Sequence, residues 1–99
     1  MRPPARTRRS GDAGAGALHV VVLSHEQTVF EGEATQVVAP ALSGYLGIMR
    51  GHAPLMALLG EGVLRVEAGR ETRSFQVAGG FLQVADNVVT VLSERAAAA

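Results

Sequence analysis

The chain has no cysteine and no lysine among its 99 residues. Without thiols there is no disulfide framework, no thiolate nucleophile and no sulfur-ligated metal site. Without lysine there is no phosphate-binding P-loop, because G-x-x-x-x-G-K-S/T needs an ammonium on the phosphates. Gly44, Gly47 and Gly51 fit neither that spacing nor G-x-G-x-x-G. No apolar run approaches the roughly 20 residues of a membrane helix, so no direct membrane insertion is expected. The start of the chain leads into A-G-A-G-A and lacks the leucine-rich core of a signal peptide. The only histidines are His19, His25 and His52, and no two of them stand at a metal-ligand spacing. Ser24 and Ser43 come with no nucleophile elbow and no partnered acid. The expectation is a protein with no catalytic residue, no cofactor and no metal.

What charge there is falls unevenly. Residues 1–17 hold Arg2, Arg6, Arg8 and Arg9 against Asp12, four minus one, or +3. The remainder sets Arg50, Arg65, Arg70, Arg73 and Arg95 against eight carboxylates, or −3. A net-acidic body excludes nucleic acid as its main partner. Residues 1–17 have no large aliphatic side chain beyond Met1, so they bury too little apolar surface to offset ordering entropy. They read as a disordered, Arg-rich tail. Residues 18–95 read as one small domain, of a size that is marginal alone and gains from a partner.

Within that body, short apolar runs alternate with Gly, Pro, Asn and Asp, the pattern of an all-β fold. Strands are expected over 18–23, 27–31 (ended by Gly32), 34–39 (stopped by Pro40), 44–48, 55–59, 63–67, 71–77, 81–84 and 88–92. Val63, Leu64, Arg65, Val66 and Glu67 alternate cleanly, with Leu64 and Val66 on one face. Gly79 and Gly80 form a corner, and Ala85, Asp86 and Asn87 a hairpin-type turn. Short strands at this spacing predict a flattened β-sandwich or barrel, since one open sheet would leave an apolar face and two edges bare. The four terminal alanines favour helix intrinsically, but so short a helix does not hold alone, so residues 96–99 read as a frayed terminus.

The most informative stretch is Y-L-G-I-M-R-G-H-A-P-L, residues 45–55. Gly47 and Gly51 permit backbone angles that a Cβ penalises. Pro54 fixes its own φ and pushes Ala53 toward extended geometry. A rigid, shaped connection displaying His52 follows. With no partnered acid or nucleophile nearby, the reading is a docking surface.

Three blocks carry a resemblance: V-F-E-G-E-A-T-Q-V-V-A-P (29–40), G-Y-L-G-I-M-R-G-H-A-P-L (44–55) and F-Q-V-A-G-G-F-L-Q-V-A-D-N-V-V-T-V-L-S-E (75–94). Together and in register, the chain resembles the epsilon subunit family of F-type ATP synthases, called delta in mitochondria. The resemblance implies a flattened β-sandwich of about ten short strands at the foot of the rotating central stalk. It implies a subunit that binds gamma on one side and the membrane-embedded c ring through its loops. Such a subunit couples ion translocation to ATP synthesis and is not an enzyme itself. Its place would be the cytoplasmic face of the bacterial inner or cell membrane, held peripherally through the complex. Carried over by motif, Leu42, Ser43, Gly44 and Tyr45 would meet the c ring, and Gly51 and His52 would lie against gamma. Tyr45 stands where the family often has an acidic residue, so packing and one hydrogen bond would replace a charge pair there. Family members continue into a helical hairpin that inhibits hydrolysis and, in some bacteria, binds ATP. Here Ala99 falls where that hairpin would begin, so no ATP binding is expected. The alternative reading is a stand-alone small β-barrel with His52 and Tyr45 as polar contacts in a ligand pocket.

Overall fold

The computed structural model describes residues 17–99. Almost all of the expected Arg-rich tail, residues 1–17, lies outside the described residues. Eight strands follow in order: β1 (Leu18–Leu23), β2 (Thr28–Ala34), β3 (Gln36–Ala41), β4 (Gly44–Met49), β5 (Leu55–Leu58), β6 (Glu61–Ala68), β7 (Glu71–Ala85) and β8 (Val88–Ala98). The alternation behind them is plain in β1, where Leu18, Val20 and Val22 are buried and the residues between are not. Valine, branched at Cβ, suits this half-buried pleated setting.

The strands run in the order β2-β1-β8-β7-β6-β3-β4, with β5 attached to β7. β7 and β8, at 15 and 11 residues, are long enough to serve two layers. Residues 71–78 of β7 pair with β6, and residues 81–84 pair with β5. β8 accompanies β7 past both partners, and its residues 88–92 carry β1 in parallel on their other edge. One layer is therefore β2-β1-β8-β7-β5 and the other β8-β7-β6-β3-β4. Six undivided strands and four half-strands make ten segments, which matches the sandwich of about ten strands although only eight are continuous. Between the layers lie the side chains of Val20, Val22, Val37, Ile48, Leu64, Val77, Leu82, Val89 and Val91, all at most 1% exposed. Across the layers, the Phe30 and Phe75 rings meet with centroids 5.6 Å apart. The Arg73 guanidinium closes that end of the core, 5.7 Å from the Phe30 ring centroid.

The crossing between layers depends on two residues that must be glycine. Gly79 and Gly80 have φ of +72° and +100°. A Cβ at Gly80 would collide with the Leu92 carbonyl oxygen, so the two long strands can approach here only without one. The β7–β8 ladder breaks between the pairs Ala78–Arg95 and Gly80–Ser93. Ser93, buried at that break, restores the lost bonds: its Oγ accepts from the amides of Ala78 and Arg95, both at 3.2 Å. Its hydroxyl in turn donates to the carbonyl of Ala78 or of Arg95. A buried hydroxyl satisfied in this way costs little; an unsatisfied one would not.

Several local expectations are corrected. Gly32 does not end β2, which runs to Ala34 with Gly32 opposite Val20. Pro40 does not stop β3 but sits inside it, opposite Tyr45. Its carbonyl accepts from Gly60 N at 2.7 Å, so its missing N–H is on the edge away from β4 and costs that ladder nothing. Gly79 and Gly80 bend one strand rather than separating two. Ala96, Ala97 and Ala98 are neither frayed nor helical: they continue β8, opposite Val77, Gln76 and Phe75. A free strand edge on β7 outweighs the helix propensity of alanine.

Candidate functional site

The residues singled out in the sequence separate into two groups at opposite ends of β4. Leu42 and Ser43 form the two-residue turn between β3 and β4, closed by the pair Ala41–Gly44. Gly44 opens β4 at φ +127° with open space where a Cβ would stand. Leu42 is 69% exposed and Tyr45 63%. The Tyr45 phenol is tied down: its Oη accepts from Val63 N at 3.3 Å. β3 leaves β6 after Val38, so the phenol occupies a ladder position that β3 vacates. Gly62 makes room for it, since a Cβ there would lie 2.7 Å from the Tyr45 oxygen. The Tyr45 oxygen accepts within the chain, and its O–H keeps its capacity to donate.

Gly51 and His52 lie in the connection from β4 to β5, about 20 Å from the first group along the six residues of β4. Gly51 has φ +86° and is exposed. His52 N donates to Met49 O at 3.1 Å, and the ring Nδ1 lies 2.7 Å from Ala53 O. A carbonyl only accepts, so Nδ1 carries a proton toward Ala53 O. His52 and Tyr45 thus belong to different ends of the molecule and do not share a pocket.

Between the two groups the structure places a surface that sequence reasoning missed. Pairing puts Leu23, Leu92, Phe81 and Leu58 in one row across β1, β8, β7 and β5. Val21, Thr90, Gln83 and Met56 form the next row. Their strand neighbours Val22, Leu82, Val89 and Val91 are buried, so both rows point outward. Met56 is 64% and Leu58 61% exposed. Leu42 extends the first row, because its amide donates to Leu58 O at 3.0 Å. At the far side, β2 supplies a polar rim in which His19 Nε2 meets Glu31 Oε2 at 2.9 Å. The one available signal was the unbroken run L-M-A-L-L, residues 55–59. A strand apolar on both faces, placed at a sheet edge, must leave one of those faces to be covered by something else.

An apolar centre with a polar rim is the anatomy of a protein-binding surface. Among the described residues, no three His, Asp or Glu side chains are grouped to hold a metal ion. No helix among them is long and apolar enough to cross a membrane.

Comparison with known proteins accords with this geometry. Residues 17–99 match the family described as ATP synthase, Delta/Epsilon chain, beta-sandwich domain. An ATP synthase epsilon chain from Leptospira borgpetersenii is 41% identical over 83 residues, 84% of this chain and 65% of that one. An ATP synthase epsilon chain from a Synechococcus species is 46% identical over 79 residues, 80% of this chain and 58% of that one. The chain therefore spans about three-fifths of the length of these relatives. In fold it is similar to a chain of the Euglena gracilis mitochondrial ATP synthase (OSCP/F1/c-ring, rotational state 1), with a TM-score of 0.80 at 20% identity, covering 99% of this chain and 62% of that one. The sequence match over residues 17–99 and the two-layered fold agree: the chain belongs to the ATP synthase delta/epsilon family, as its β-sandwich domain.

Proposed function

We propose that this chain is a non-catalytic element of the ATP synthase central stalk, seated between gamma and the c ring. The observation that carries the proposal is the outward apolar face of β1, β8, β7 and β5, which ends at Leu42 on one side and begins near His52 on the other. Gamma covers this face, with Gly51 and His52 at its margin. Leu42, Ser43, Gly44 and Tyr45 form a narrow tip that meets the c ring. Torque passing through a subunit calls for a stiff body, and two close-packed β layers sharing two continuous strands supply it. The protein lies at the cytoplasmic face of a bacterial membrane, peripherally, through the complex. The ligand-pocket alternative is disfavoured by the separation of Tyr45 and His52 and by an aliphatic interior whose buried polar residue, Ser93, is satisfied by backbone.

The test is association. A tagged full-length chain is mixed with its cognate gamma subunit and, separately, with detergent-solubilised c ring, and then with both. The expected result is a binary complex with gamma and a ternary complex that retains the ring. A chain that stays monomeric in all three mixtures overturns the proposal.

A further inference from the structure

We propose that Asn87 is the positioning residue of the docking loop, holding His52 in place from another hairpin. The inference rests on the reading above, that residues 50–54 dock against gamma. Asn87 lies in the turn between β7 and β8, where Asp86 and Asn87 have φ of +52° and +62°. Turns with two positive-φ residues are the type that matches hairpin twist, and Asn is among the side chains that tolerate them. Its backbone is held from both sides. The flanking pair Ala85–Val88 closes the hairpin, and Asn87 O accepts from His19 N at 2.9 Å. The side chain therefore leaves a fixed base.

From that base the Asn87 Oδ1 accepts from Gly51 N at 2.7 Å, across 36 residues of sequence. The donor is a backbone N–H, which assigns the oxygen, not the nitrogen, of the amide to this contact. The other hydrogen bonds of the loop stay local, from His52 N to Met49 O and between His52 Nδ1 and Ala53 O. Gly51 itself imposes no conformation: it sits at φ +86° with nothing within 4 Å of where a Cβ would be. A loop free to leave its docked form binds with an affinity reduced by the fraction that is competent. Asn87 raises that fraction by fixing the Arg50–Gly51 peptide, one peptide before the one that joins Gly51 to His52. It touches no partner to do so; it acts through Gly51.

The backbone angle dictates the variants. Asn87→Gly keeps positive φ available and removes the acceptor. Asn87→Asp keeps both positive φ and an oxygen that can accept from Gly51 N. Full-length wild type, N87G and N87D are titrated with the cognate gamma subunit, and amide hydrogen exchange is followed at Gly51 and at core positions. The expected result is gamma binding weakened about tenfold in N87G and restored by N87D. Exchange at Gly51 rises in N87G alone, while core amides such as Val91 stay protected in all three. Unchanged exchange at Gly51 in N87G, or unchanged gamma affinity despite faster exchange there, overturns the assignment. So does N87D binding no better than N87G. Wild type that fails to bind gamma overturns the functional reading itself, and this inference with it, a result distinct from the other three.

Discussion

The outer face of β2-β1-β8-β7-β5 and that of β8-β7-β6-β3-β4 come from equally regular alternating strands, yet the first is mostly apolar and the second mostly polar. The first sets Leu23, Leu92, Phe81 and Leu58 side by side. The second presents Met49, Gln36, Glu67 and Thr72 in one row and Gly47, Val38, Arg65 and Ser74 in the next, with Met49 at its β4 edge the exposed apolar side chain among them. Arg65 and Glu67 even pair along their own strand, at 3.6 Å. A fold needs only its inner faces to be apolar. The polar outer face is what a sheet facing water carries; the apolar one adds nothing to a lone monomer and is the kind of patch that marks an interaction site. On the proposed function, the difference between them marks the side of the sandwich that gamma would cover.

Both faces depend on the bend at Gly80, so the sharpest way to break the comparison is there. Gly80→Ala drives a Cβ onto the Leu92 carbonyl and forces alanine to a positive φ. We expect a loss of at least about 3 kcal/mol, read as the urea midpoint, with both faces lost together. A charge placed on each face separates them. Leu58→Glu should weaken gamma binding about 100-fold by burying an unpaired carboxylate. Ser74→Glu on the opposite face should leave it within about twofold. Equal losses from the two substitutions, measured by titration, would erase the distinction. Ser93→Ala tests the shared seam more gently. It leaves the amides of Ala78 and Arg95 short of an acceptor, at about 1–3 kcal/mol, again by urea unfolding with gamma affinity preserved among folded molecules. The smallest effect belongs to the polar face. Arg65→Ala removes an exposed pair and should change stability by less than about 1 kcal/mol, with the thermal midpoint nearly unmoved.

The strands were legible wherever two-residue alternation was clean, as from Val63 to Glu67, and so was the two-layered class. Four boundaries were not, and beyond Gly32 three of them show why. Pro40 reads as a terminator because its missing donor is visible in sequence, but the edge on which that donor would lie is not. Gly79 and Gly80 read as a corner between strands because glycine signals a bend without saying whether pairing continues through it. The terminal alanines read as a frayed end because propensity is local, whereas the open edge of β7 that captures them is supplied by residues 19 to 23 positions away. At the site, the His52 loop stood out through its glycines and proline, and the tip residues only through the family resemblance. Asn87 did not, since its contact with Gly51 crosses 36 residues.

By itself, then, the order of residues determined an all-β domain, an aliphatic interior and the family to which the chain belongs, because periodicity and motif spacing are properties of a line. Which apolar strand lies at an edge, which face has no cover, and which turn steadies which loop were decided only on folding. Those follow from pairing between distant segments, and a one-residue shift in that pairing would turn every side chain of a strand to the other side.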